Sequence, residues 1–265
     1  LPECQDNLIS ELSPVDRFRY SLACKQARAY VVSFEERAFR VGRVLRRYFP
    51  DSLVLRRFRR LQYRLNILIS GSTALQFFNR SFYASADLDL YVNYSCVPEV
   101  RKFLETHAGY NWVPRSHEER VAHYRLYEAS VVTPAYENRG IVGVFNFERK
   151  TERVQVIATR HGPMDAVLGF HSTCVMNVIT FSHAYSLFPY TSFHYSANIT
   201  IARRFCCARS LLTSSAAIQK YEDRGWASAL VPSSDVYLMR CSEFRKGVRY
   251  VGDPSTWVVK LEEID

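Results

Sequence analysis

A chain of 265 residues, 48% hydrophobic and 23% charged, has the composition of a folded globular protein, which excludes wholesale disorder, collagen-like repeats and coiled-coil rods. No apolar run approaches the roughly 18 residues of a membrane span and no apolar stretch follows a basic start, so no span or signal peptide is expected and an intracellular location is. The net charge of +9 invites a nucleic-acid reading, yet it is concentrated: between Arg37 and Arg64 lie ten arginines, no lysine and one acid, Asp51.

The first forty-nine residues read as helices. Leu8, Ile9 and Leu12 recur near helical spacing, and Ser13-Pro14-Val15-Asp16 supplies an N-cap, a proline at the first helical position and an acid at the third, so a helix restarts at Ser13. Phe34, Ala38, Val41, Leu45, Tyr48 and Phe49 line one face of a helix expected over 31–49, with arginines on the other. Pro50-Asp51-Ser52 breaks it, and a second Arg-rich helix follows, with Val54, Phe58, Leu61 and Leu65 as its apolar face.

The pattern then changes. A short strand over 66–70, a Gly71-Ser72 break, a helix over 73–79, a strand over 87–92 and an amphipathic helix over 97–107 are predicted. Strands over 141–147 and 154–159 form a hairpin around a charged turn, 167–170 is helical, 174–180 a strand and 211–221 a helix. Residues 248–251 and 257–261 are expected to close as a hairpin around Gly252-Asp253-Pro254. Seven cysteines, an odd number without a C-x-x-C pair, read as reduced thiols.

The chemically informative segments are Gly71-Ser72 and Asp87-Leu88-Asp89-Leu90-Tyr91-Val92. Alternation along a strand puts Asp87 and Asp89 on one face and Leu88, Leu90 and Val92 on the other. Two carboxylates that close are unfavourable unless a cation or a proton compensates them, and hard oxygen ligands suit Mg²⁺. Gly71-Ser72, between a strand and a helix, can hold a phosphate on backbone N–H groups.

Ile69-Ser70-Gly71-Ser72 followed by Asp87-Leu88-Asp89-Leu90 resembles the motif of the nucleotidyltransferase fold of the DNA polymerase beta superfamily. The resemblance implies an α+β protein, a mixed sheet flanked by helices, over 61–265, behind a helical, Arg-rich segment over 1–60. By the same resemblance Gly71 and Ser72 contact an NTP, Asp87 and Asp89 ligate two divalent metals such as Mg²⁺, and a nucleotidyl group passes to a hydroxyl on RNA, protein or a small molecule. The chain departs from the motif twice. Fourteen residues lie between Ser72 and Asp87, a slightly long gap, and Gln155 stands in the strand where the family carries a third catalytic carboxylate. An amide ligates or orients but is a poor general base. Glu148, Glu152 and Asp165 are the alternative sources of that acid.

Between Leu1 and Lys25, the spacing of Leu1-Pro2, Leu8-Ile9, Leu12-Ser13-Pro14 and Leu22 resembles an F-box, which implies docking to the adaptor subunit of a cullin-type ubiquitin ligase. Paired with the downstream motifs it is similar to an expanded group of fungal proteins, a similarity that implies no activity of its own. Two functions therefore stay open: an Mg²⁺-dependent nucleotidyltransferase whose arginine segment contacts an RNA or protein acceptor, or a non-catalytic substrate-recognition subunit that uses the fold as a scaffold. His171 with Cys174 is a weaker pairing, read as packed side chains.

Overall fold

Ser13 begins a helix as expected. Its hydroxyl accepts a hydrogen bond from Asp16 N at 3.2 Å, so α1 (Pro2–Glu11) gives way to α2 (Pro14–Ser21) at a capped restart. The computed structural model describes residues 2–114, 140–200, 218–230, 242–244 and 248–263. By contact density the chain divides into two compact units. One comprises Leu1–Phe39, Phe170–Asn177 and Tyr185–Val259; the other comprises Arg40–Gly169, Val178–Ala184 and Lys260–Asp265.

In the first unit α2 packs on α3 (Lys25–Ala38), burying Arg17, Ala27, Val31 and Phe34. The single helix expected over 31–49 is broken: Phe39 leaves helical geometry at φ −103°, ψ 64°, and a separate α4 (Val41–Leu45) follows in the second unit. The break is held at both ends. Phe39 packs edge-on to Trp257 at 5.1 Å, and the carboxylate of Glu262 accepts from the amides of Val41 and Gly42 at 3.0 and 2.8 Å, capping α4 from 221 and 220 residues away.

The second unit carries α5 (Ser52–Leu65), capped by Asp51, whose carboxylate accepts from Leu53 N and Val54 N. Phe58 and Leu61 of the expected apolar face are buried, joined by Leu55, Arg59 and Gln62, whereas Val54 and Leu65 are only half-buried. Arg59 earns that place by donating to the carbonyls of Thr180 (3.2 Å) and Phe181, while Gln62 Nε2 donates to Ile67 O and Ile179 O. Burial lowers the Arg59 pKa to about 10.

The order continues β1 (Leu68–Ser70), α6 (Gly71–Asn79), β2 (Leu88–Asn93), α7 (Val97–Thr106), β3 (Asn111–Trp112), β4 (Ile141–Arg149), β5 (Glu152–Thr159), α8 (Pro163–Leu168), β6 (Asn177–Ile179) and β7 (His183–Ser186). Later come β8 (Ala197–Thr200) and β9 (Ala227–Leu230), a parallel pair, and β10 (Trp257–Lys260). The large sheet is mixed, in the order β10-β7-β6-β1-β2-β5-β4-β3, with β2 and β5 parallel and β1–β2, β1–β6, β3–β4 and β4–β5 antiparallel. The protein is thus a mixed α and β fold with a large mixed sheet flanked by helices. One face of the central strands is the core: Leu88, Leu90, Phe145, Phe147, Val154 and Val156 are all buried. The β4–β5 hairpin forms as expected, its strands running into the charged stretch and leaving Lys150 in the left-handed region at φ 54°.

Three expectations are corrected. The stretch 174–180 opens with a 3₁₀ turn (Thr173–Val175), so only Asn177–Ile179 is strand. The helix expected over 167–170 begins earlier, at Pro163, which suits the first helical turn. No closing hairpin forms, because residues 248–250 are not a strand and β10 lies beside β7 in the sheet. Arg249 instead clasps Asp253, Nε to Oδ2 at 2.8 Å and Nη2 to Oδ1 at 2.9 Å. The helix expected over 211–221 falls mostly outside the described residues, as do Cys206, Cys207 and Cys241. Cys4, Cys24, Cys96 and Cys174 are free thiols.

Candidate functional site

Register brings four polar residues into one row across the middle of the sheet. Ser70 on β1 pairs with Asp89 on β2, Asp89 with Gln155 on β5, and Gln155 with Asn146 on β4. Paired residues share a face, opposite to the Leu88, Leu90 and Val154 core. Asp87, two residues before Asp89, lies just before β2 begins and follows the same alternation: Asp87 and Asp89 are half-exposed, Leu88 and Leu90 buried.

Gly71 turns the chain from β1 into α6 at φ +66°, a conformation that suits glycine, and a Cβ there would overlap Asp89 Oδ2 and come 3.2 Å from Asp89 Cγ. The Asp89 carboxylate therefore rests against the backbone at the N-terminus of α6, where the helix dipole favours negative charge. Ser70, the N-cap residue, makes no side-chain cap, and the first turn holds no acid. Ser72 follows on α6, buried, its carbonyl accepting from Gln76 Nε2.

The chain into β2 is held from below the turn. Thr73 Oγ1 donates to Asp87 O at 2.8 Å and Tyr48 OH donates to Ala86 O at 2.9 Å, while Arg47 donates to the carbonyls of Tyr83 and Ala84 and ion-pairs with Glu152. Burial raises the pKa of the Tyr48 phenol, which stays a neutral donor. These contacts fix the position of Asp87 through its backbone and leave its carboxylate to the site.

Arg153 Nε lies 2.8 Å from Asp87 Oδ1, an ion pair in which the arginine is 41% exposed. The N–H is not aimed along the contact, since Asp87 Oδ1 is buried without an aligned hydrogen bond. The attraction is one of charge. Gln155 occupies the register position beside Asp89, and its Nε2 donates to Asn146 Oδ1 at 3.0 Å. Of the other acids, Glu152 pairs with Arg47, Glu148 lies across from Arg153, and Asp165 sits in the first turn of α8. Among the described residues no group of three His, Cys, Asp or Glu side chains is arranged to hold a metal ion.

Sequence reasoning did not single out Arg153, Asn146, Thr73 or Tyr48. Strand parity was the available signal for Arg153, two residues before Gln155 on the same face; nothing local marks Tyr48. Cys174 is buried with its thiol pushed up to about 12, and its backbone is held by Asn198 Oδ1 and Asn177 Nδ2, so it is a packed residue. In the first unit Leu8, Phe18 and Leu22 are exposed, each by more than half of its surface, whereas Leu12 is half-buried.

Comparison with family models, with curated proteins and with solved structures finds no match. Among the described residues no helix is long and apolar enough to cross a membrane.

Proposed function

We propose that the second unit binds an Mg²⁺-complexed NTP at the β1–α6 turn and transfers its nucleotidyl group to a hydroxyl acceptor. The observation that carries this reading is the contact of Gly71 with the Asp89 carboxylate. It sets an acid at a helix N-terminus that would otherwise receive phosphate, and a cation between two such anions relieves their repulsion. Asp87 and Asp89, on one face, are hard oxygen donors of the kind Mg²⁺ takes, and Arg153 already marks Asp87 as a cation position. When bound, the ion would neutralise the phosphates and lower the pKa of the attacking hydroxyl.

The chain's own residues supply the rest. Gly71 leaves room for the Asp89 carboxylate beside the turn, Ser72 lies in the same first turn, and Tyr48 and Thr73 hold the strand that presents Asp87. Arg153, substantially exposed, can swing toward solvent or toward the triphosphate once a cation replaces it. Gln155 orients through its amide and does not take up a proton. The test is equilibrium binding of a fluorescent NTP with and without Mg²⁺, followed by transfer from a radiolabelled NTP. Binding that is Mg²⁺-dependent and lost in Asp89→Asn supports the reading; binding that is equal with or without Mg²⁺ overturns it.

The exposure of Leu8 on α1, Phe18 on α2 and Leu22 just beyond α2 favours a second reading, that these helices dock a cullin-ligase adaptor. Purified adaptor should bind the full chain and lose it in Leu8→Glu/Leu22→Glu. Equal binding by the variant would remove that reading.

A further inference from the structure

The arginine segment does not act as one patch. Arg37 pairs with Asp6, Arg47 with Glu152 and Arg64 with Glu99, and Arg59 is buried on backbone carbonyls. Arg57 and Arg60 are exposed and make no side-chain hydrogen bond or ion pair among the described residues. They project, with Arg64, at i, i+3 and i+7 of α5, a single stripe along about 10 Å of helix. That stripe forms one wall of a groove of about 580 Å³ whose other wall is α7, with Lys102 and His107. Arg57, Arg60, Arg64 and Lys102 are set against one carboxylate, Glu99, so the groove carries a surplus of positive charge within the second unit.

The groove is also aromatic. Tyr63 lies in its lining with 68% of its surface exposed, one side of the ring resting on Phe181 at 5.1 Å, and His107 packs edge-on to Phe103 at 5.9 Å. We propose that this α5–α7 groove binds single-stranded nucleic acid, the guanidinium stripe following the phosphates and Tyr63 stacking a base. A duplex hides its base faces and leaves the tyrosine without a role, whereas an acidic peptide uses the charge but not the exposed ring. The inference does not depend on nucleotidyl transfer, because none of the groove residues belongs to the Gly71–Asp89 site.

The test uses the full chain and fluorescently labelled 12-nucleotide probes: oligo(U), oligo(dT) and an RNA duplex. Single strands should bind at least tenfold more tightly than the duplex, with a log–log salt slope of about −2 to −3 for three to four phosphate contacts. Arg57→Glu/Arg60→Glu should weaken binding at least tenfold, and Tyr63→Ala at least fivefold, with unchanged circular dichroism. Arg43→Glu/Arg46→Glu, which reverses the same charge on exposed arginines outside the groove, should change affinity less than threefold. Oligo(U) and oligo(dT) together distinguish RNA from DNA as the preferred strand. Equal losses in the two double variants, an unaffected Tyr63→Ala, or displacement of the probe by polyglutamate at matched charge would each overturn the proposal. Asp87→Asn should bind the probes as the native chain does, which keeps this result separate from the fate of the nucleotide site.

Discussion

Gly71 and Asp89 are in direct contact across the β1–β2 pair, and no side chain fits between them. The glycine is required twice over, by its φ of +66° and by the carboxylate against it. Gly71→Ala should therefore destabilise the protein by about 1–2 kcal/mol from backbone strain alone, lowering Tm by roughly 2–4 °C, and should displace Asp89. Mg²⁺-dependent NTP binding should be lost in this variant at temperatures where it remains folded. Retained binding would show that Asp89 does not act where the turn holds it.

Asp87→Asn and Asp89→Asn each remove a charge from the ligand pair and should abolish Mg²⁺-dependent NTP binding and transfer. Gln155→Glu places an acid at the register position beside Asp89 and should raise transfer at least tenfold if the amide limits the chemistry. A radiolabelled transfer assay across the three variants reads both effects. Transfer that survives in both asparagine variants would move the active site elsewhere.

Arg153 competes with any ion for Asp87. Removing it in Arg153→Ala should strengthen Mg²⁺ binding about three- to fivefold, the worth of a part-exposed ion pair, in a calorimetric titration without nucleotide. With NTP present the gain should shrink if the arginine also contacts the triphosphate. Unchanged affinity for the ion would separate Asp87 from the metal site.

Arg17 is a structural cation in the first unit. It is buried, with its guanidinium 5.1, 5.5 and 5.8 Å from the rings of Trp257, Phe39 and Phe34, donates to Leu12 O at 3.1 Å, and faces Glu35 at 3.8 Å. Burial raises the pKa of Glu35 and Arg17 opposes that rise. Arg17→Ala leaves the acid and the rings without their partner and should cost about 3–4 kcal/mol in urea unfolding. Arg17→Lys keeps the charge, loses the planar stack, and should cost about 1–2 kcal/mol.

Asp253 sets an acid limb. Hydrogen bonds from Arg249, then from Thr256, hold its carboxyl at about 2, below the usual carboxylate value. The folded pKa is depressed, so its contribution is complete above the unfolded value near 4 and is lost as pH falls toward 2. Native chain and Asp253→Asn should therefore differ most in stability above pH about 4 and converge at pH about 2. A difference that stays constant across that interval, followed by fluorescence-monitored unfolding, would remove the Arg249 clasp as its cause.

The local features were decided by the sequence. The Ser13 cap, the Asp51 cap before α5, the β4–β5 hairpin and the alternation of Leu88 and Leu90 with Asp87 and Asp89 follow from neighbours within a few residues, where propensity and periodicity act. Gly71-Ser72 was legible for the same reason, since a strand-to-helix turn is a local event. What the tertiary structure decided depends on partners far along the chain. The α3–α4 break is held by Trp257 and Glu262, Arg59 is drawn inward by carbonyls at 180 and 181, and β10 takes β7 as its neighbour instead of closing a hairpin. The polar row Ser70, Asp89, Gln155 and Asn146 and the Arg153–Asp87 pair belong to this second kind. Each needs the register between strands, which is set by packing the Leu88 and Val154 face, and no window of sequence contains both members of the pair.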